Sequence, residues 1–222
     1  DRGRGQGVSE ALHVDRREHR ARAQLERLTF FSDAIFAIAM TLLVVEVKLP
    51  RLHGATGPEL GQALLQLIPN YIAFLISFLV LGRFWIIHHD VMGLLKASSG
   101  RLVMANLLLL LSVAFMPFPT AIISEYVNLR VGIGFYTGWL VLLGLLNRNL
   151  IRTVARSPEL LDDDITQGDL APLLHRSWIP VLIGLCAFAG GMVTWVAALV
   201  VLVVVSPLIS LFVSRWAARR SG

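Results

Sequence analysis

Cysteine and charge are both scarce in this 222-residue sequence. Because Cys186 is the single cysteine, the chain cannot be a small scaffold held together by internal disulfides. Charged residues make up 16% of the chain, where a soluble domain usually has about a quarter. Hydrophobic residues reach 55% and the mean hydropathy is +0.68. This composition excludes a disordered or collagen-like chain and favours an integral membrane protein.

Catalytic motifs are missing as well. The sequence contains no glycine-rich phosphate loop, no HExxH pair and no nucleophile elbow. His88, His89 and Asp90 come closest to a metal site. Adjacent side chains on a helix diverge by about 100°, so this trio cannot easily chelate one ion and is better suited to hydrogen bonding. We therefore expect no enzyme activity, no cofactor and no resident metal.

Long apolar runs occupy most of the chain instead. A helix needs about 20 apolar residues to cross a bilayer core, and lipid offers an unpaired backbone no hydrogen-bond partner. The run at 178–213 is long enough for two spans, and Gly190 and Gly191 near its middle predict a tight turn at about 190–194. The sequence therefore predicts an all-α integral membrane protein with six transmembrane helices, at about 28–49, 68–87, 102–123, 131–146, 178–193 and 195–213.

The positive charges set the expected orientation. With the N-terminus in the cytosol, 17 of the 20 Lys and Arg residues fall on the cytosolic side. This bias predicts that both termini are cytosolic, and it explains the net charge of +5 without a nucleic-acid partner. We expect a multi-pass protein of the cell membrane, divided into an Arg-rich N-terminal segment (1–26), a six-helix unit (27–216) and a C-terminal tail (217–222).

The first predicted helix has two distinct faces. At about 100° per residue, several residues of this helix share one face and form a stripe along its length, whereas Ser32 and Asp33 lie well off this stripe. A charged residue inside a span is costly, so Asp33 is expected to have a function or a partner. Glu46 lies near the outer end and also off the stripe. Ordinary packing produces such stripes too. The stripe consists of Ala34, Ile38, Thr41, Leu42 and Val45.

A motif opens this helix: Arg27, Phe31, Ser32 and Asp33 form the pattern RxxxFSD. The pattern resembles the signature of the transmembrane-protein-175 family of potassium channels. Later features also resemble that family, over roughly residues 27–120: FWIIHH at 84–89, Asn106, and MPFPT at 116–120. The resemblance implies a passive potassium-permeable channel without a TVGYG filter, formed by four copies of a one-repeat chain, with potassium as its permeant ion.

The resemblance also implies roles for residues of the first helix. Ile38, five residues after the Asp of the motif, corresponds to a bulky apolar constriction of the pore, which Ala34, Thr41, Leu42 and Val45 extend. The motif residues are expected to hold this helix to the second and third helices. These scaffold residues are Arg27, Phe31, Ser32, Asp33, Trp85, His88, His89 and Asn106.

Other readings of the same residues remain open. An ion- or proton-coupled secondary transporter would use Asp33 with His88 or His89 as a relay. Transporters, however, tend to place polar groups at interrupted helices near the bilayer midplane, and here the charges gather near the cytosolic ends. A membrane-embedded enzyme and a purely structural protein are further alternatives.

Overall fold

The computed structural model describes residues 2–48 and 56–205, with side chains from residue 18 onward except those of 167, 204 and 205. Within these ranges the protein is helical and contains no β-strand, which confirms the all-α prediction for this part of the chain. A 3₁₀ turn continues α1 at Leu43–Glu46, another follows α6 at Pro158–Leu160, and a π-helical turn follows α9 at Val201–Val205. The helices are α1 (Arg2–Leu42), α2 (Gly57–Gln66), α3 (Ile68–Met92), α4 (Gly100–Ala114), α5 (Pro117–Glu125), α6 (Arg130–Ala155), α7 (Gln167–Arg176), α8 (Ile179–Val193) and α9 (Trp195–Val200).

Five stretches of the described chain are long and apolar enough to cross a membrane. They are Glu18–Glu46, Ile68–Met92, Gly100–Glu125, Arg130–Ala155 and Gly168–Val193. Each overlaps one of the first five predicted spans. The sixth predicted helix, 195–213, starts with α9 and continues into residues outside the described part of the chain, so the six-span topology stays a prediction.

The first helix differs from its prediction at both ends. α1 is continuous from Arg2, so no break separates the predicted segment 1–26 from the span that follows it. Its α-helical part ends at Leu42 instead of continuing to residue 49, and a 3₁₀ turn carries the chain to Glu46. Pro50 disfavours helical geometry at residue 49, because proline has no backbone N–H and restricts the residue before it, but it does not explain the change to a 3₁₀ turn at Leu43.

Proline also divides the third span, which the sequence predicts as one helix at 102–123. α4 ends at Ala114 and α5 begins at Pro117, with Phe115 and Met116 between them. Pro117 and Pro119 cannot donate the backbone hydrogen bonds that a continuous helix requires, whereas proline is well suited to the first turn of a new helix. The span is therefore a pair of helices with a junction.

The fourth span is longer than the predicted 131–146, because α6 continues to Ala155. Arginines interrupt the hydropathy of this last part, yet Leu150, Ile151 and Val154 between them are buried. A helix that alternates in this way is amphipathic and still packs its apolar face on the core.

Close packing joins α6 to α8 through glycines. A Cβ atom added to Gly144 would lie 3.0 Å from the backbone nitrogen of Val181. One added to Gly184 would lie 2.9 Å from Cγ2 of Val141. Small residues allow transmembrane helices to approach this closely, and the packing gained stabilises their association.

Two loops meet at the end of the bundle where α3 finishes and α7 begins. Leu95 and Leu161 form an antiparallel β-bridge, with Lys96 N–H donating to Leu160 O and Asp162 N–H donating to Leu94 O, both at 2.9 Å. The Lys96 ammonium group also pairs with the Asp163 carboxylate. This loop junction fixes the two connections against each other.

Candidate functional site

One face of α1 is packed against the rest of the bundle. Ser32, Phe36, Ala39 and Leu43 are each no more than 1% exposed. This face lies against α3, α4 and α5. The packed face therefore fixes the rotation of α1 about its own axis.

The opposite face of α1 is the predicted stripe, and it is uncovered in the protomer. The side chains of Ile38, Leu42 and Val45 are 55%, 45% and 65% exposed, and Ala34 and Thr41 are exposed as well. The Thr41 hydroxyl donates to the Ile38 carbonyl at 2.8 Å, a bond within the helix. The protein thus presents a mostly apolar strip along one membrane helix without covering it by its own chain in the part that the structure describes.

A buried hydrogen-bond network, formed by Ser32, Asn106 and His88, anchors the packed face. The Asn106 amide Nδ2 donates to Ser32 Oγ at 2.8 Å, and Ser32 Oγ donates to the Leu28 carbonyl at 2.8 Å. The Asn106 Oδ1 oxygen lies 2.8 Å from His88 Nε2. Because an amide oxygen can only accept, Nε2 carries the donated proton. This anchoring network joins α1 to α3 and α4, and each of its three side chains is 0% exposed.

His88 has a second nitrogen without a hydrogen-bond partner. Its Nδ1 is buried and unpaired within the described chain. The Phe36 ring packs against the imidazole, with ring centroids 5.5 Å apart. The Phe36 ring therefore covers part of the imidazole inside the bundle.

Asp33 lies at the edge between the two faces of α1, where it is half-buried. Its Oδ1 accepts a hydrogen bond from Trp85 Nε1 at 2.9 Å. Trp85 in turn packs against His89 one helical turn later, with ring centroids 5.7 Å apart. Asp33 therefore contacts a neutral donor on α3, and neither histidine is its direct hydrogen-bond partner.

Two residues of the motif stand apart from these contacts. The Arg27 side chain is exposed and forms no hydrogen bond or ion pair with any residue that the structure describes. Phe31 is half exposed on the same side as the strip. Glu46, which does not belong to the motif, is half-buried in the 3₁₀ turn that follows α1. The structure thus brings together Ser32, Asp33, Trp85, His88, His89 and Asn106, and leaves Arg27 and Phe31 outside the group.

Sequence reasoning missed a second buried polar cluster. Ser77 Oγ lies 3.0 Å from the Tyr136 hydroxyl and accepts a hydrogen bond from Thr120 Oγ1 at 2.8 Å. These side chains connect α3, α5 and α6 close to the α4–α5 junction. The signal was present, because polar residues within apolar spans usually find partners on neighbouring helices.

An ion pair at the far end of α1 was also missed. Lys48 Nζ lies 2.6 Å from Glu125 Oε1 at the end of α5. The hydrogen bond and charge of Glu125 raise the pKa of Lys48 above its ordinary value. Both side chains are well exposed, so the pair contributes little to stability but orients the end of α1.

The chain is similar to several known proteins. Residues 27–117 match the family model described as endosomal/lysosomal potassium channel TMEM175. A potassium channel of Chamaesiphon minutus is 37% identical over 138 residues, which cover 61% of this chain and 68% of that protein. A potassium channel of Streptomyces collinus is 42% identical over 102 residues, which cover 46% of this chain and 48% of that protein.

The fold is similar to a solved structure as well. A crystal structure of a lysosomal potassium-selective channel TMEM175 homolog from Chamaesiphon minutus superposes with a TM-score of 0.75 and 29% identity. The match covers 86% of this chain and 98% of that one. Together with the 37% identical relative, this extent of similarity leads to one conclusion: the chain belongs to the TMEM175 family.

Proposed function

We propose that this protein is the subunit of a potassium channel, in which four copies place the exposed strip of α1 around a shared axis. The observation that carries the proposal is the division of α1 into a packed face with a buried polar anchor and an uncovered apolar face. The bacterial relatives with 37% and 42% identity suggest the ion, because both are named as potassium channels, whereas the more distant relatives from Gallus gallus and Danio rerio are named as proton channels. Homotetramers close by rotational symmetry, which gives every copy of α1 the same relation to the axis.

The anchor distinguishes this face from an ordinary lipid-facing surface. Lipid-facing helices need apolar side chains but no fixed rotation. Here Ser32, His88 and Asn106 place a buried polar cluster directly behind the strip, and any rotation of α1 would break it. A wall of a pore needs such a fixed rotation, since the same side chains must face the axis in every subunit.

Conduction would then depend on an apolar constriction. Four Ile38 side chains around an axis form a narrow collar that dewets easily and forces an ion to lose part of its hydration shell. The larger potassium ion loses water at lower cost than sodium. Thr41, one turn further along the strip, offers hydroxyl groups that replace part of the lost water. We expect potassium selectivity to be modest, because the proposed constriction consists of apolar side chains and hydroxyl groups and not of a ring of backbone carbonyls.

A proton-coupled transporter receives less support from the geometry. A relay needs titratable groups in contact with each other and with water. Asp33 bonds to Trp85, and His88 is buried against Asn106 and Phe36. No observation therefore favours the relay over the channel.

Flux into liposomes tests the proposed function. The purified protein is reconstituted with a potassium gradient as the sole driving force, and flux is followed by a potential-sensitive dye. The channel predicts downhill flux with a reversal potential set by the ion gradients alone. Ile38→Asn should raise conductance and reduce selectivity while leaving the assembled particle intact.

Asp33→Ala provides the matched comparison, because it removes a scaffold contact instead of the constriction. It should reduce the yield of assembled particles and leave selectivity of the survivors unchanged. Wild-type liposomes without potassium flux would contradict the channel. If the Ile38→Asn protein had the same conductance and selectivity as the wild type, Ile38 would not form the constriction.

A further inference from the structure

A cavity of about 410 Å³ opens where the last turns of α6 meet the junction of α7 and α8. Arg148 and Arg152 of α6 line it together with Arg156, the residue that follows α6, and His175 and Trp178 face it from the other side. The three arginines are spaced by four residues, which places their side chains along one side of the helix over about 12 Å. The cavity lies far along the chain from the exposed strip of α1 and plays no part in the proposed pore.

One wall of this arginine cavity is held rigidly. Arg148 Nη1 donates to the Leu174 carbonyl at 2.9 Å and to Ser177 Oγ at 2.6 Å. Its guanidinium group also stacks on the Trp178 ring, 4.0 Å from the centroid. The Nε and Nη2 donors of Arg148 form no hydrogen bond with the described chain, so a fixed cation with spare donors borders the cavity.

Among the described residues, no carboxylate forms an ion pair with the arginines around the cavity. Within the described residues, the side-chain ion pairs given by the structure are Lys48 with Glu125 and Lys96 with Asp163. Arg152 and Arg156 are exposed and belong to neither pair. Several cations that share a concave surface without a carboxylate repel one another, and a bound anion would relieve that repulsion.

The surroundings indicate where such an anion would come from. The predicted orientation places this end of α6 at the cytosolic membrane surface. Trp178 is 45% exposed, and tryptophan is enriched at the level of lipid headgroups. Basic pockets between transmembrane helices on the cytosolic side suit anionic headgroups. The orientation rule alone accounts for arginines in this loop, but it does not require them to line one cavity around a stacked guanidinium.

From these observations we infer that the arginine cavity binds a phosphate-bearing anion, supplied by an anionic phospholipid of the cytosolic leaflet. Planar guanidinium groups match phosphate oxygens in pairs, so Arg152 and Arg156 would close on the phosphate while Arg148 holds it from the rigid wall. Phosphatidylcholine carries the same phosphate but no net charge, and it is expected to bind weakly.

Native mass spectrometry of the full chain in detergent tests this inference. Dioleoyl phosphatidylglycerol, dioleoyl phosphatidylcholine or inorganic phosphate is titrated separately, and the bound fraction is counted. Each arginine near an anionic surface contributes about fivefold in affinity, so R152Q/R156Q should bind phosphatidylglycerol about 30-fold more weakly than the wild type. R20Q/R83Q removes the same charge from exposed positions outside the cavity and should bind like the wild type.

The separate titrations also distinguish a lipid phosphate from a free phosphate ion. Phosphatidylglycerol binding that inorganic phosphate does not displace identifies a lipid site. Phosphate binding that is lost in R152Q/R156Q identifies a site for a soluble anion of the same chemistry. Equal phosphatidylglycerol binding by the wild type, R152Q/R156Q and R20Q/R83Q overturns the inference, as does equal binding of phosphatidylcholine. The R152K/R156K variant keeps both positive charges and serves as a second variant in case R152Q/R156Q does not fold.

Discussion

Ser32 is the smallest side chain of the anchoring network and connects its other members to the backbone of α1. It accepts from Asn106 and donates to Leu28 O, so its hydroxyl uses both its donor and an acceptor site. Among the described side chains, Ser112 is a contrasting case: its Oγ is buried on α4 and has no hydrogen-bond partner. Two buried serines therefore have opposite hydrogen-bonding states in neighbouring helices.

This contrast gives the first prediction. Ser32→Ala leaves the Asn106 Nδ2 donor unpaired in a dry interior and should lower the free energy of unfolding by about 1 kcal/mol, within the range measured for interhelical hydrogen bonds in membrane proteins. Ser112→Ala removes an unpaired hydroxyl and should cost less. Reversible unfolding in mixed detergent measures both variants. A larger loss in Ser112→Ala than in Ser32→Ala would contradict the network as described.

The motif illustrates how far single residues could be predicted from sequence. A serine and an aspartate at the start of an apolar helix indicate hydrogen-bonded partners, and the resemblance directed attention to Trp85, His88 and Asn106. Which residue pairs with which depends on helix rotation, and sequence does not fix that. Asp33 thus accepts a hydrogen bond from Trp85 instead of a histidine, and the Arg27 side chain forms no hydrogen bond or ion pair with any of them within the described chain.

Among the helices, α6 and α8 show how backbone approach depends on two glycines. Gly144 faces Val181 and Gly184 faces Val141, each too closely for a Cβ atom without movement. Gly138 lies on the same helix as Gly144 but has no atom within 4 Å of an added Cβ. The two positions on α6 therefore differ in packing while sharing helical geometry.

Alanine substitution separates packing from helix propensity. Gly144→Ala should lower the free energy of unfolding by about 1–3 kcal/mol, because the added methyl group forces the backbone of α8 away. Gly138→Ala should be neutral or should stabilise the helix by up to about 1 kcal/mol, since alanine is the better helix former. Thermal unfolding in one detergent compares them. Equal melting temperatures would show that α6 and α8 are not in close contact.

The loop junction predicts a dependence on pH at the end of the bundle. The hydrogen bond and charge of Lys96 lower the pKa of Asp163 below its ordinary value of 3.8. Its contribution is therefore present above that value and is lost as the pH falls through the folded pKa. The pKa of Lys96 is raised above 10.5 by the same contact, so its contribution is present below 10.5 and is lost at higher pH.

Hydrogen exchange measures this effect locally. The Lys96 and Asp162 amides of the β-bridge should exchange more slowly at pH 6 than below pH 3.8, after correction for intrinsic rates. Because the pair is largely exposed, the change should be small. The Asp163→Asn substitution should abolish this difference in exchange rate between the two pH values. An equally large acid effect in Asp163→Asn would assign the pH dependence to another group.

Element boundaries were predictable where a local signal existed. Thr56 and Glu59 form a capping box at the start of α2, and Thr166 and Asp169 form one before α7. Both patterns are readable in sequence, yet hydropathy alone passed over these short helices. The extension of α6 to Ala155 needed knowledge of burial, because arginines on the solvent side conceal the apolar face. The division of α4 from α5 was missed, because the prediction treated 102–123 as one helix although Pro117 and Pro119 lie within it.

The described chain is a helical bundle that exposes apolar side chains on several helices, and the strip on α1 is one of these surfaces. Packing of α1 on α3, α4 and α5 leaves Ile38 and Val45 facing outward from the protomer. In the part of the chain that the structure describes, this strip is left open by the protomer. The proposed function therefore requires assembly, and purified protein is expected to have the mass of four chains by native mass spectrometry. A stable monomer that still conducts potassium would contradict this expectation.

Cysteine modification tests the central claim, that the exposed strip of α1 lines a water-filled path. Cys186 is exposed and is first replaced by alanine, and then Ile38→Cys or Leu182→Cys is introduced. Leu182 on α8 is 52% exposed and lies outside the strip, so it serves as the control. The account predicts that a water-soluble methanethiosulfonate reagent blocks potassium flux through the Ile38→Cys protein and leaves the Leu182→Cys protein unaffected. Block of Leu182→Cys with no reaction at Ile38→Cys would place the path along a different helix and contradict the account.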